Sequence, residues 1–430
     1  MKNKLPKYLL GALYLLLLLP LVSQVFSLSE NNLKGYSEKA EKPEWSIGNW
    51  LSGSFQSQGE KYLSQNFGAR DVLVKLDNQY RFSFFEKSNV RDLVVGKNGY
   101  LFEEGYIKAY IGSEYIGDKS VKKKLQRLVA VEKKLKELGK ELLIVAAAGK
   151  ASFFPEYIPD HYFPRRETNN IDEHKKAFTD SGLNYIDFNE WFVQMKDTSR
   201  YPLFPKTGIH WTEYGMTLAA DSLVHYLEKL EGIDLPDIKI KDIELLPKPH
   251  RTDNDIEKSM NLFFDIPTDG MIYAYPKIEY HSENKDSLKV LVVGDSYYWQ
   301  MYSMKLSKNV FNNGQFLYYG GQIYPGAGRL ENDDLMDFIS SYDVIVMMCT
   351  EANLKSFPWG LQNSLYELLC KDEHDLFIQA HLEEILEQED KIRADEKWFK
   401  EIKEAAKNAK MEVDEVLRKD AVFVVENRYL

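Results

Sequence analysis

The chain has 430 residues, enough for one large α/β domain with appendages or for two domains. Hydrophobic residues make up 44% and charged residues 28% of it, which is typical of a folded protein and excludes wholesale disorder. The formal net charge of -11 argues against a nucleic-acid partner, because a protein that binds nucleic acid presents a basic face.

An apolar run near the N-terminus predicts a membrane anchor. Lys2, Lys4 and Lys7 precede apolar residues from Tyr8 to about Val25, close to the ~17–20 residues that a transmembrane helix needs. The basic flank should stay cytoplasmic, which leaves the main domain extracytoplasmic, in a periplasm or outside the cell. A cleaved signal peptide is the alternative. The run has no Ala-x-Ala-like cleavage site and no cysteine to accept a lipid, so we favour the uncleaved anchor.

Composition and hydrophobic rhythm divide the chain into four predicted segments. Strands alternate with helices in the largest of them, which favours a parallel sheet in a layered α/β domain. The C-terminal segment is charged and helical, and it either packs against the main domain, which we prefer, or binds a partner. The segments are an anchor or signal (1–28), a linker (29–55), the α/β domain (56–375, with a Pro-, Asp- and Lys-rich insertion at about 234–288) and a helical extension (376–430).

Two local patterns come before the alternating region. A helix is predicted from Ala69, because apolar residues recur there at helical spacing. These residues are Leu73, Leu76, Tyr80 and Phe84. Further on, Asn98-Gly99 lies between two apolar runs and predicts a tight β-hairpin.

A loop around His210 is the first stretch with catalytic potential. It runs from Pro205 to Gly215 and opens into a helix that Thr212 can cap. A neutral imidazole at this place can act as a general base. The other seven histidines have no paired motif, and no pair of residues has zinc-ligand spacing. The sequence therefore predicts no metal and no other cofactor.

The second such stretch is a buried strand followed by a serine. Aliphatic residues from Val290 to Val293 predict a strand covered on both faces of a parallel sheet. Gly294-Asp295-Ser296 then forms a turn, and an aromatic segment follows it. A serine at the C-terminal end of such a strand can expose a nucleophilic hydroxyl.

Taken together, these stretches resemble the alginate O-acetyltransferase AlgJ/AlgX family of SGNH-hydrolase-like proteins. The order of the motifs carries the resemblance, with the histidine ahead of the serine, which is a permuted order relative to ordinary SGNH hydrolases. The matching motifs are Gly96-Lys97-Asn98-Gly99-Tyr100-Leu101-Phe102, Lys150, Gly208-Ile209-His210-Trp211 and Gly294-Asp295-Ser296. The resemblance implies an α/β, SGNH-hydrolase-like three-layer fold with a parallel sheet.

The resemblance also implies roles for individual residues. Ser296 is the expected nucleophile and His210 its general base. Lys150 either contacts the site or is a solvated loop lysine. Tyr297, Trp299 and Trp211 are candidates for stacking on sugar, although Trp211 is better explained as a core residue that fixes the loop.

One position departs from the family. The acid of the family's triad is an Asp two residues before the His, and this chain has Gly208 there. Three interpretations stay open: another carboxylate or a backbone carbonyl orients His210, the chain works as a slower Ser-His dyad, or it is inactive and binds glycan or a partner. Glu351, beyond a buried strand, is our candidate for the replacement acid.

The resemblance predicts a membrane-anchored O-acetyltransferase that acts on a cell-envelope polysaccharide through an acyl-serine intermediate. The expected partners are a polysaccharide acceptor and a membrane-bound O-acyltransferase as acetyl donor. A carbohydrate O-acetylesterase is the first alternative, since transfer and hydrolysis share the same acyl-enzyme. A catalytically impaired glycan-binding or scaffold protein of a polysaccharide export system is the second.

Overall fold

A computed structural model describes residues 5–26, 33–34, 40–326, 328–409, 411–426 and 428–429. Its strands are β1 (Leu93–Val95), β2 (Leu101–Glu103), β3 (Glu141–Ala146), β4 (Asn184–Asp187), β5 (Asp237–Leu246), β6 (Tyr273–His281), β7 (Val290–Gly294), β8 (Phe316–Tyr318), β9 (Gln322–Tyr324) and β10 (Val344–Cys349). Its helices are α1 (Leu5–Phe26), α2 (Ile47–Leu51), α3 (Ser54–Asn66), α4 (Arg70–Phe85), α5 (Glu104–Tyr110), α6 (Asp118–Glu137), α7 (Lys150–Phe153), α8 (Asn170–Ser181), α9 (Phe188–Met195), α10 (Glu213–Glu231), α11 (Asp255–Met260), α12 (Tyr298–Ser303), α13 (Leu306–Asn309), α14 (Asn332–Ser340), α15 (Leu361–Leu369), α16 (Lys371–Ala380), α17 (Leu382–Ala394), α18 (Glu396–Ala409) and α19 (Val413–Glu426).

The chain separates into two compact units, which are described one at a time. The first unit comprises Met1–Glu104, Pro205–Ile209 and Pro247–Met271. The second comprises Gly105–Phe204, His210–Leu246 and Ile272–Leu430.

The first unit begins with the predicted apolar helix. α1 is long and apolar enough to cross a membrane, and a signal sequence would pass the same test. Lys2 and Lys4 lie outside the described residues, as does most of the predicted linker before residue 40. The last residues of that linker are helical, since α2 and the start of α3 fall within it.

The predicted hairpin is confirmed in the same unit. β1 and β2 pair antiparallel around a turn at Asn98 and Gly99, whose φ angles are 57° and 75°. Asn and Gly are the residues that most readily adopt positive φ, which is why Asn-Gly between two apolar runs is a strong hairpin signal.

A six-stranded sheet is the core of the second unit. Its strand order is β4-β3-β10-β7-β8-β9, and every pairing is parallel except that of β8 with β9. β7 and β10 are buried along their whole length, as expected for central strands covered on both faces. The α/β fold with a parallel sheet is therefore confirmed. Because parallel strands end at one edge, Ser296 and Glu351 follow neighbouring strands at that edge.

The predicted insertion and extension also have defined structure. β5 and β6, at either end of the insertion, pair antiparallel. The C-terminal helices pack on the main domain. Glu426 of α19 forms an ion pair with Lys123 of α6 at 2.8 Å and another with Arg127 of the same helix. This arrangement is the one that we preferred for the charged helical extension.

Candidate active site

The second unit brings the predicted nucleophile and base together. The imidazole Nε2 of His210 lies 3.1 Å from the hydroxyl Oγ of Ser296, within hydrogen-bond distance. Both side chains are partly exposed, so a substrate can reach them. Ser296 lies two residues after the end of β7, one of the two central strands of the sheet. The geometry is that of a serine hydroxyl whose proton can pass to a neighbouring base.

A buried carboxylate fixes the turn that presents Ser296. Asp295 is completely buried, and its Oδ2 accepts hydrogen bonds from the N–H of Thr350 at 2.8 Å and from the Thr350 hydroxyl at 2.9 Å. The side-chain amide of Asn353 donates a third at 2.8 Å, and the N–H of Tyr297 donates to Oδ1 at 3.1 Å. The carboxylate therefore ties the end of β7 to the residues that follow β10.

Sequence reasoning missed this network. Thr350 and Asn353 carry no motif of their own, and the Gly-Asp-Ser tripeptide gave Asp295 no role apart from Ser296. A signal was present, because residues that follow adjacent parallel strands meet at one edge of the sheet. Asn353 could not be found in this way, because it lies four residues after the end of β10 and only the fold shows that its side chain turns back to Asp295.

Aromatic packing and a helix cap hold the His210 loop. Trp211 is completely buried, and its carbonyl accepts a hydrogen bond from the Gln300 amide at 3.2 Å. The hydroxyl of Thr212 accepts from the N–H of Gly215 at 3.0 Å, as the predicted cap of α10 requires. The ring of Tyr297 lies 4.8 Å from the His210 ring, centroid to centroid. These contacts hold the loop that carries the imidazole.

Two of the proposed sugar-stacking residues need correction. Tyr297 and Trp211 are each completely buried, with their rings 5.2 Å apart. A ring without exposed surface offers no face to a sugar. Their contacts support the His210 loop instead, which for Trp211 is the core alternative raised from the sequence.

Trp299 keeps the surroundings expected of a sugar-binding residue. It is partly exposed and belongs to an aromatic cluster of the second unit. Its ring centroid lies 4.1 Å from that of Tyr324 and 5.3 Å from that of Tyr318, both in edge-on arrangements. The N–H of Trp299 donates to the carbonyl of Ser296 at 3.2 Å, so the cluster begins one helical turn from the nucleophile.

Glu351 follows β10 in the chain, and its carboxyl group contacts the first turn of α7. Its Oε1 accepts hydrogen bonds from the N–H groups of Ala151 and Ser152 at 3.2 and 3.3 Å, and its Oε2 accepts one from the Ser152 hydroxyl. Burial raises the pKa of Glu351 to about 7, although these hydrogen bonds favour the charged form. All of these partners belong to α7, so the contacts of Glu351 favour a structural role. Its assignment as the acid of the site stays a prediction.

Lys150 is not a solvated loop lysine. It is the first residue of α7 and is completely buried, which is rare for an ammonium group. A Cβ on Gly149 before it would displace the Glu351 carboxyl group from its present position. Glu351 and the Gly149-Lys150 turn therefore form one packed unit. A direct role of Lys150 in the site stays a prediction.

The first unit explains why residue 208 is a glycine. A Cβ on Gly208 would lie 2.7 Å from the carbonyl oxygen of Asp253, closer than packed atoms approach. The flanking residues are held as well: the N–H of Ile209 donates to Asp255 Oδ1 at 3.1 Å, and the Thr207 carbonyl accepts from the N–H of Glu257 at 3.2 Å. The backbone of Asp253 therefore takes the space that an aspartate side chain at 208 would need.

We expect Gly208→Asp to lower stability without raising activity. The new side chain must displace the backbone at Asp253, and overpacking of this kind costs about 1–3 kcal/mol. Urea unfolding and acetyl-ester turnover of the variant measure both effects, with Gly314→Asp as a control because nothing lies near a Cβ at that position. A gain in turnover would contradict the prediction and would show that the site lacks only a carboxylate at 208.

Comparison with known families agrees with the geometry. Residues 93–253 match the family model ALGX, the SGNH hydrolase-like domain of the acetyltransferase AlgX. This segment is therefore similar to the SGNH hydrolase-like domain of AlgX. The match confirms the resemblance predicted from the motifs. It covers the hairpin, Lys150 and His210, and it ends before Ser296.

Solved structures of similar proteins share little sequence with this chain. The O-acetyltransferase domain of Pseudomonas putida AlgJ is 16% identical, with a TM-score of 0.39 over 63% of this chain and 99% of that one. Pseudomonas aeruginosa AlgX is 14% identical, with a TM-score of 0.39 over 65% and 70% of the two chains. Bacillus cereus PatB1 is 12% identical, with a TM-score of 0.37 over 55% and 91%. No curated protein sequence matches the chain.

Proposed function

We propose that this protein is an O-acetyltransferase of a cell-envelope polysaccharide, with Ser296 as the nucleophile. The distance of 3.1 Å between Ser296 Oγ and His210 Nε2 carries the proposal, because it joins a nucleophile to a base at the edge of a parallel sheet where ligands bind. The AlgX-like segment supports the same reaction class.

The reaction has two halves that share one intermediate. Ser296 Oγ attacks the carbonyl carbon of an acetyl ester while His210 Nε2 takes the hydroxyl proton. The tetrahedral intermediate collapses to acetyl-Ser296, and the leaving alcohol receives that proton. A sugar hydroxyl then attacks the acetyl carbonyl, its proton passes to His210, and free Ser296 is regenerated with the proton returned to it. The backbone N–H of Ser296 is the proposed donor to the oxyanion.

The acceptor side is proposed to use the aromatic cluster around Trp299. Aromatic rings near a nucleophile suit sugar faces, which present C–H groups to them. Trp299, Tyr318 and Tyr324 are each partly exposed. A membrane-bound O-acyltransferase is the proposed acetyl donor, and the main domain is proposed to lie outside the cytoplasm, with the basic N-terminal flank inside.

Two assays separate this proposal from its alternatives. Incubation with an acetyl ester and an oligosaccharide acceptor should yield acetylated sugar, whereas an esterase would release acetate with no gain of acetyl on the acceptor. In cells, Ser296→Ala should remove polysaccharide O-acetylation as fully as deletion of the chain does. If the variant kept the phenotype that deletion abolishes, the scaffold interpretation would be correct.

The raised pKa of Glu351 predicts that the stability difference between the native protein and Glu351→Gln depends on pH. Its pKa of about 7 in the folded state exceeds the ordinary glutamate value, so the folded state holds the proton more tightly. The contribution of this group to the free energy of unfolding is fully present below ~pH 4.5 and is lost as the pH rises through 7. Glu351→Gln mimics the protonated form and should therefore be more stable than the native protein above pH 7, by at most roughly 3 kcal/mol.

Chemical unfolding of both proteins between pH 4.5 and 8 checks this prediction. The difference between their free energies of unfolding at each pH cancels the contribution of every group that titrates equally in the two proteins. A constant difference across the range would contradict the raised pKa. Acetyl-ester turnover of the same variant tests the predicted acid role, because loss of the acid that orients His210 should lower turnover by orders of magnitude.

A further inference from the structure

The end of α1 is tightly packed against the junction of α3 and α4. A Cβ on Gly68 would lie 2.9 Å from the Cα of Gln24, and it would also meet the Pro20 carbonyl. Ser23 on α1 and Ala69 beside Gly68 are both buried in this contact region. Only a glycine lets the two backbones approach so closely. A packing surface built for α1 supports retention of the helix as an anchor, since a cleaved signal has no place in the mature fold.

The contact fixes the depth of the α3–α4 junction. α1 has 22 residues, about 33 Å at 1.5 Å per residue, close to the ~30 Å of a bilayer's hydrocarbon core. Pro20 and Gln24 lie six and two residues before the end of α1 at Phe26. They are therefore about 9 and 3 Å inside that end of the helix. Gly68 must lie at the same level, which is the depth of ~5–10 Å at which amphipathic helices rest in the interface.

The surface around this junction is apolar and exposed. The predicted stripe of α4 does not face a protein core: Leu73 is 41% exposed, Leu76 51%, Tyr80 54% and Phe84 73%. On α3, Leu63 is 66% exposed. Contiguous exposed apolar patches of this kind mark binding or membrane surfaces.

Charge lies beside the stripe rather than across it. Asp77 and Arg81 form an ion pair at 2.8 Å along one flank of α4, with both side chains about half exposed. An apolar stripe bordered by charge, with a tyrosine at its middle, is the pattern of a helix at a membrane interface.

We propose that the α3–α4 junction and the exposed stripe of α4 lie in the interfacial layer of the bilayer that α1 spans. The occupant of this surface is lipid: acyl chains contact Leu63, Leu73 and Leu76, and headgroups contact the flanking charges. The chain is then held at the membrane by two elements, a spanning helix and a helix that lies along the surface. This inference rests on α1 spanning the bilayer and is independent of the proposed reaction.

Spin-label accessibility on the full chain tests the proposal. The chain, at one copy per lipid nanodisc, is labelled at Leu73→Cys or Leu63→Cys. Lys241→Cys on the exposed β5 strand is the control. Cys349 and Cys370 are buried free thiols, and the native chain shows how far they react. The readout is collision with oxygen, which concentrates in lipid, against collision with a water-soluble nickel chelate.

Labels at 73 and 63 should collide more with oxygen than with nickel, and the label at 241 should show the reverse. Nickel collision at 73 and 63 equal to that at 241 would overturn the proposal, because the stripe would face water. Immobile labels that neither reagent reaches would also overturn it, since the stripe would then be covered by protein.

Discussion

Ser296→Ala is expected to lower acetyl-ester turnover by on the order of 10⁴-fold or more, because removal of a serine nucleophile leaves only the contribution of binding and oxyanion stabilisation. His210→Ala should lose a similar factor, since the hydroxyl then loses the base that lies 3.1 Å from it. The two losses should not add, because the two residues act as one unit.

A matched control separates this effect from general damage. Ser341 is an exposed serine of the same unit whose hydroxyl donates to the Phe338 carbonyl at 3.0 Å, and Ser341→Ala should turn over the ester at the native rate. Near-native turnover by Ser296→Ala, in protein with native circular dichroism, would remove Ser296 from the reaction.

Asp295→Ala should have the largest effect on stability of any change at the site. The carboxylate is completely buried and accepts two hydrogen bonds from Thr350 and one from Asn353. The N–H of Tyr297 donates to it as well, so its removal leaves four donors without this acceptor, and each buried donor left unsatisfied costs about 1–3 kcal/mol. Urea unfolding measures the loss as a shift in midpoint.

Two variants make this prediction specific. Asn353→Ala removes one donor and leaves the carboxylate with its other partners, so it should cost only about 1–2 kcal/mol. Asp295→Asn keeps the shape and can place its amide oxygen at the Oδ2 position, so that only the N–H of Tyr297 loses its acceptor, and it should be clearly more stable than Asp295→Ala. Equal stability of Asp295→Ala and the native protein would show that the carboxylate does not anchor the turn.

The same network predicts a kinetic effect. Asp295 does not touch the reacting atoms and acts by positioning Ser296 through the turn between β7 and α12. In variants that stay folded, kcat should fall while KM changes little, because misplaced catalytic groups slow the chemical step without weakening ground-state binding.

The sequence predicted the parts of the site that depend on local pattern. A continuous aliphatic run before Ser296 indicated a central strand, and the Asn98-Gly99 pair indicated a hairpin. The order of the motifs indicated the family, and from it the pairing of Ser296 with His210. Each of these follows from residue types within a few positions of one another.

What the sequence could not predict depends on contacts between distant segments. Tyr297 and Trp211 are residue types that often bind sugars. Only the structure shows that both are buried, with their rings packed against each other. From the sequence, Gly208 is only the position where the family's acid is missing, whereas its tight contact with Asp253 is a feature of the fold. The stripe of α4 has helical spacing whether it faces a core or a membrane, so periodicity alone cannot tell the two apart.

Detection of the acetyl-Ser296 intermediate tests most directly whether Ser296 is the nucleophile. The full chain in nanodiscs is mixed with a chromogenic acetyl ester, quenched in acid within the first turnovers and digested for mass spectrometry. We expect an acetyl group on the peptide that contains Ser296, absent from Ser296→Ala and much reduced in His210→Ala. Ester turnover by folded protein with no acetyl on Ser296 would contradict this expectation and would place the chemistry elsewhere.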